Sequence, residues 1–246
     1  MIASLAMYDR PETASATDRF WALIRNDLRK QGLEAPQNLE RNHPFWEVWT
    51  DPDLLFSQTC GRPYRLKLHG NCQLVGTPDY GLPDADPGYY YSVFLVRSND
   101  GRTDLDAFKT AKFAYNETLS QSGWAAPQCH VAPLGFQFEN IWQSGSHLAS
   151  ARAVAEGTAD IASVDAMTWE LIKRYEPFSL ALRVIEKTTQ TPGLPYITGL
   201  KTDRKALQKS VLTAIDHLDL ADRRTLRLRG LIDIPATAYL AVPNPG

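Results

Sequence analysis

Between an apolar strand and the start of a helix the chain reads Asn116-Glu117-Thr118-Leu119-Ser120-Gln121-Ser122-Gly123. A helix start leaves backbone N–H groups unpaired and carries partial positive charge. Serine hydroxyls add donors, and a glycine lets the backbone approach a bound oxyanion closely. Such a junction can hold an anion. The alternative is that Ser120 or Ser122 does no more than cap the helix. Four further strand ends carry polar residues ahead of a helix: Tyr8-Asp9, Gln58-Thr59, Ser144-Gly145-Ser146-His147 and Asp165. One capping residue is ordinary, but five polar strand ends favour a small polar or anionic ligand. Ser120 or Ser146, His147 and Asp165 also supply the residue types of a hydrolytic triad. No Gly-x-Ser-x-Gly elbow accompanies them, and His147 and Asp165 have capping alternatives, so binding is favoured over hydrolysis.

The elements that must position these residues alternate strand and helix nearly throughout, the pattern of an α/β sheet protein. Met1 to Met7 reads as a first strand. Asp9 is expected to cap the next helix, with Pro11 in its first turn, Phe20, Leu23, Ile24 and Leu28 at helical spacing, and Gly32 as its stop. Leu54–Gln58 and Leu74–Thr77 read as strands, with a short helix between Pro63 and Leu68. Tyr89 to Val96 is the longest strand signal, followed by a helix containing Leu105 and Phe108. Lys112–Tyr115, Phe138–Trp142, Ala159–Val164 and Leu182–Ile185 are further strands. Helices are expected over Leu148–Glu156, around Trp169, Leu171 and Ile172, and along Leu207, Val211, Leu212, Ile215 and Leu218. Proline- and glycine-rich segments, Pro78 to Gly88 and Pro192 to Thr198, read as crossovers. They divide the chain into two α/β lobes: a discontinuous lobe 1 (1–85 and 195–246) and an inserted lobe 2 (86–194). In doubly wound sheets ligands bind outside the carboxyl ends of strands, so the five strand ends are expected to converge on a cleft between the lobes.

Composition narrows the functional classes. The 246 residues carry a formal net charge of −2 with mixed signs, which offers no basic stripe for nucleic acid. No run of 18 apolar residues spans a membrane. Cys60, Cys72 and Cys129 are odd in number and lack metal-ligand spacing, which fits free thiols better than a disulfide framework. His43, His69, His130 and His217 lie in unrelated contexts. No metal or cofactor is expected. Met1–Met7 is apolar but has no basic flank, so no secretion signal is read there. As numbered the chain is expected to be cytoplasmic, or periplasmic if a leader has been removed.

Several segments together resemble the periplasmic phosphate/phosphite/phosphonate-binding proteins of ABC importers, within the type II substrate-binding superfamily. They are Tyr90–Val96 at the first crossover, Phe113–Asn116 ahead of Ser120-Gln121-Ser122-Gly123, and Ser144–His147 with Ala151–Asp165 behind it. Leu182–Ile185 ahead of Pro192–Ile197, and Leu228–Leu231, complete the set. The resemblance implies two Rossmann-like lobes joined by hinge segments. It implies that Ser120, Ser122 and Gly123 grip phosphoryl oxygens, that His147 follows a glycine-rich turn, and that Asp165 meets an amine or hydroxyl on the ligand. Tyr8 would wall the cleft, with Asp9, Gln58 and Thr59 from lobe 1. Gln121 stands where the family often has a small hydroxyl residue, and the family's secretion signal or lipoprotein cysteine is not seen.

The expected function is therefore a solute-binding protein that closes on a small oxyanion-bearing ligand, phosphate- or phosphonate-like, for ABC-type uptake with a permease partner. The alternatives are an enzyme or a ligand sensor on the same scaffold, acting on a small anionic metabolite.

Overall fold

The computed structural model describes residues 1–246 and divides them into two units. Unit 1 comprises Met1–Tyr89 and Pro192–Leu240; unit 2 comprises Tyr90–Thr191 and Ala241–Gly246. The chain begins with β1 (Ile2–Ser4), α1 (Ala14–Lys30), α2 (Phe45–Trp49), β2 (Leu54–Gln58), α3 (Gly61–Pro63) and β3 (Cys72–Asp79). It passes into unit 2 through β4 (Tyr89–Tyr90) and continues with β5 (Ser92–Arg97), β6 (Phe113–Tyr115), α4 (Ala126–Val131), β7 (Ile141–Gln143), α5 (His147–Ala155), β8 (Ile161–Asp165), α6 (Ala166–Tyr175) and β9 (Leu182–Lys187). It returns through β10 (Thr191–Pro192) to β11 (Tyr196–Gly199), α7 (Arg204–His217), α8 (Leu220–Leu226), β12 (Gly230–Ile232) and α9 (Ala236–Leu240). The last six residues, expected in lobe 1, group instead with unit 2, where Pro243 O lies 3.9 Å from Cys129 Sγ.

Unit 1 is a five-stranded mixed sheet in the order β1-β2-β11-β3-β12. β1 and β2 run parallel; β11 is antiparallel to β2 and β3, and β12 is antiparallel to β3. β2 is buried along its whole length, as an apolar strand covered on both faces must be. Phe20, Ile24 and Leu28 recur every four residues on α1 and pack with Leu207, Val211 and Ile215 of α7 against Phe56 and Val75. Val48, Trp49, Tyr64, Leu68, Ile197 and Tyr239 form a second cluster. Each large apolar side chain buried in this way stabilises the unit by roughly 1.5–3 kcal/mol.

Unit 2 is a second five-stranded sheet, β7-β6-β8-β5-β9, in which β7, β6 and β8 are parallel and β5 is antiparallel to β8 and β9. Phe94, Val96, Phe108, Phe113, Phe138 and Ile161 form its core. The order places the carboxyl ends of β6, β7 and β8 side by side, and these are the ends that carry Ser120, His147 and Asp165.

Five local expectations are corrected. The first strand stops at Ser4, and α1 begins at Ala14, not after Asp9. Thr13 Oγ1 takes the Arg10 N–H, while Asp9 Oδ2 accepts from Arg41 Nε. The signal from Tyr89 to Val96 is broken at Tyr91, whose carbonyl accepts from Ala166 N–H. Leu105 and Phe108 are buried, but the segment between Gly101 and Phe113 forms only one 3-10 turn, Asp106–Phe108. Phe138 lies outside β7 because the Gln128 carboxamide satisfies both its N–H and its C=O at 2.9 Å.

Candidate oxyanion site

In unit 2, β6 ends at Tyr115 and the chain turns through Asn116–Leu119 to Ser120. Ser120 is extended (φ −68°, ψ 135°) and its Oγ accepts the Gly123 N–H at 3.0 Å. The next five residues, Gln121–Ala125, form a π-helical turn closed by Ala125 N–H to Ser120 O, which runs into α4. Wide turns of this kind are rare and concentrate at functional sites. The turn is pinned from β8: Ser163 Oγ donates to the Ser122 carbonyl at 2.7 Å, and both residues are buried.

The second element is the β7–α5 loop. Gly145 has φ +88° with open space where a side chain would project, so its backbone conformation is what calls for glycine. Ser144 N–H donates to Tyr115 O and Gly145 N–H donates to Asn116 O, which ties this loop to the end of β6. Ser146 caps α5 by accepting the Ala149 N–H at 3.1 Å, and His147 is the first residue of the helix.

These two loops meet through side chains. Ser122 Oγ lies 2.8 Å from His147 Nε2. A side-chain carbon on Gly123 would fall 1.9 Å from Asn116 Oδ1 and 3.2 Å from His147 Cε1, so Gly123 serves close packing rather than an unusual φ. Burial pushes the His147 imidazolium pKa down to about 4, against a smaller opposing effect of the Ser163 backbone. The ring is therefore neutral at physiological pH, with one N–H to donate. Its Nδ1 is buried and meets no carboxylate. The ring thus lacks the acidic partner that orients a catalytic histidine.

The remaining predicted residues are placed as follows. Gln121 is buried in the π turn. Asp165, 2 % exposed at the end of β8, caps α6 by accepting the Thr168 N–H at 2.8 Å. Ser120 and Ser146 are caps too, but a hydroxyl that accepts through oxygen keeps its proton to donate.

In unit 1, Gln58 Nε2 donates to Tyr80 OH and to Leu194 O, each at 3.0 Å. Tyr8 packs edge-on against Tyr80 with ring centroids 5.2 Å apart. Tyr196 is fully buried, and burial raises its phenol pKa well above the ordinary value, with Tyr80 adding to the effect. Thr59 is fully buried; its N–H donates to Pro195 O and its hydroxyl faces Cys60 O at 3.4 Å. Asp9 is held by Arg41, which also pairs with Asp18. Unit 1 thus offers an aromatic and amide cluster, while the hydroxyl and imidazole donors are on unit 2.

The sequence reading missed Tyr80, Tyr196, Ser163 and Asn116. Ser163 left a signal as a polar residue inside the apolar run Ile161–Val164, and Asn116 as the first residue of the polar junction itself.

The family profile described as "ABC transporter, phosphonate, periplasmic substrate-binding protein" matches residues 64–234. The chain belongs to the phosphonate ABC-transporter substrate-binding protein family. The matched span contains Ser120–Gly123, His147 and Asp165, while Tyr8, Asp9, Gln58 and Thr59 precede it. Among solved structures the chain is similar to PhnD1 from Prochlorococcus marinus (MIT 9301) in complex with methylphosphonate. The TM-score is 0.72 at 18% identity, covering 97% of this chain and 94% of that one. It is also similar to XAC2383 from Xanthomonas citri bound to ATP (TM-score 0.69, 15% identity, 97% and 92% covered). A third relative is PA3383 from Pseudomonas aeruginosa, a binding protein component of an ABC phosphonate transporter (TM-score 0.65, 16% identity, 92% and 87% covered). No curated protein matches the sequence. These likenesses bear out the two-lobed type II binding-protein fold, and the family bears out a solute-binding role in ABC uptake. The phosphonate-binding family consists of periplasmic binding proteins, and no helix of this chain is long and apolar enough to cross a membrane.

Proposed function

We propose that the protein binds a small phosphonate-class oxyanion through Ser120, Ser122, Gly123 and His147 of unit 2 and delivers it to an ABC permease at the periplasmic face of the membrane. The observation that carries the proposal is the 2.8 Å contact between Ser122 Oγ and His147 Nε2 beside a glycine whose missing side chain leaves room for Asn116 Oδ1. It sets a hydroxyl, a neutral imidazole and backbone N–H groups close together. Neutral donors suit an anion that must be released again, because an ion pair in a buried site is costly to part. The lack of a carboxylate at His147 Nδ1 weighs against a nucleophilic serine, so binding without turnover is the reading supported. Asp165 is proposed to meet a hydroxyl or amine of the ligand with part of its carboxylate, the rest capping α6.

Isothermal titration with methylphosphonate and with inorganic phosphate tests this. A hydrogen bond to a charged group contributes about 1.5–3 kcal/mol. Ser122→Ala and His147→Ala are therefore each expected to weaken binding by roughly 10- to 100-fold. Wild-type affinity in both variants would overturn the site.

A further inference from the structure

Asn116 touches both loops of the site and has no assigned role. Its backbone carbonyl accepts the Gly145 N–H at 3.0 Å, which holds the loop leading to His147. Its side-chain Oδ1 is buried against Gly123, so close that a β-carbon on that residue would lie 1.9 Å away. The carboxamide makes no hydrogen bond within the protein, and Oδ1 is its only fully buried polar atom. The packing also sets the amide's direction. An oxygen seated on the Gly123 Cα makes a weak C–H contact, whereas the NH2 end would set hydrogen against hydrogen. Nδ2 is thereby left with two N–H groups that make no hydrogen bond within the protein and are not fully buried, so a ligand can reach them next to the residues that carry the Ser122–His147 pair.

We propose that Asn116 is a further ligand contact and a specificity-determining residue: its side-chain amide donates to an unprotonated oxygen of the bound oxyanion. This inference rests on the oxyanion reading of the site given above. A neutral donor here admits an anion with a free oxygen at that corner, and a carboxylate in the same place repels it.

Asn116→Ala removes the donor without adding charge, and it is the discriminating variant; Asn116→Asp is isosteric but also repels a nearby anion through space. If Asn116 served packing alone, the alanine variant would bind methylphosphonate as the wild type does. If Asn116 donates to the ligand, Asn116→Ala is expected to lose about tenfold in affinity at pH 8 by isothermal titration, and Asn116→Asp at least 100-fold, with thermal midpoints of the ligand-free proteins close to wild type. Affinity of Asn116→Ala within twofold of wild type, with Ser122→Ala still impaired, overturns the role of Asn116 and leaves the site standing. Wild-type protein that binds neither methylphosphonate nor phosphate, or binding that none of the three substitutions changes, overturns both.

Discussion

Gly123 shows how a single missing side chain organises the site. Its φ is not in the left-handed region, so alanine fits the backbone; what alanine does not fit is the Asn116 carboxamide at 1.9 Å. Because that obstacle is the far end of a side chain, Gly123→Ala is expected to fold and to push Asn116 aside. Its thermal midpoint should stay within a few degrees of wild type while methylphosphonate affinity falls about tenfold or more. His147 gives a second prediction at this scale. Its folded-state pKa of about 4 lies below the ordinary histidine value of 6.5. Between these values the unfolded chain takes up a proton that the folded chain refuses, so stability falls as the pH drops from 6.5 towards 4. The ring is only partly shielded from solvent, so the loss is set at about 1–3 kcal/mol. His147→Gln should flatten that part of a denaturation-midpoint profile against pH; an unchanged slope would show that another group titrates.

At the scale of elements, the oxyanion loop depends on a strand it does not pair with. Ser163 of β8 reaches the carbonyl of Ser122 and fixes the π turn, while Ser120 closes its start. Ser163→Ala leaves that buried carbonyl without its donor and is expected to cost about 1–2 kcal/mol. For a chain of this size that corresponds to a thermal midpoint lowered by roughly 2–8 °C. Much of this architecture was legible beforehand. Leu54–Gln58 and Phe113–Tyr115 read as strands because β-branched, aromatic and apolar residues run between turn signals, and the spacing of Phe20, Ile24 and Leu28 marks a helix without ambiguity. The Ser-x-Ser-Gly start and Ser146-His147 were visible because capping chemistry is local. What stayed hidden was non-local: the meeting of Ser122 with His147 across 25 residues, the support from Ser163 and the orphaned carboxamide of Asn116. The strand expected at Phe138 failed for the same reason, since Gln128 claims its backbone from a helix.

For the whole molecule, the two passages between units are braced within each unit. Gly193 N–H donates to Gly88 O in unit 1, and Thr188 N–H donates to Ser92 O in unit 2. Tyr239 of α9 adds to the first of these: its hydroxyl is 2.5 Å from Thr77 Oγ1 and donates to Gly193 O at 3.0 Å, and burial raises its phenol pKa. Tyr239→Phe keeps the ring packing on Tyr64 and removes only these bonds. It should destabilise the protein by about 1–3 kcal/mol in denaturant titration. A midpoint equal to wild type would show that the hydroxyl is dispensable. The six residues that follow α9 belong to unit 2, whereas Met1 belongs to unit 1. The two chain ends are therefore carried by different bodies. Fluorescent proteins fused to those ends would need no internal insertion point, and any rearrangement of one body against the other on adding methylphosphonate would be read out as a change in energy transfer, making the two ends of this chain the attachment points of a ligand sensor.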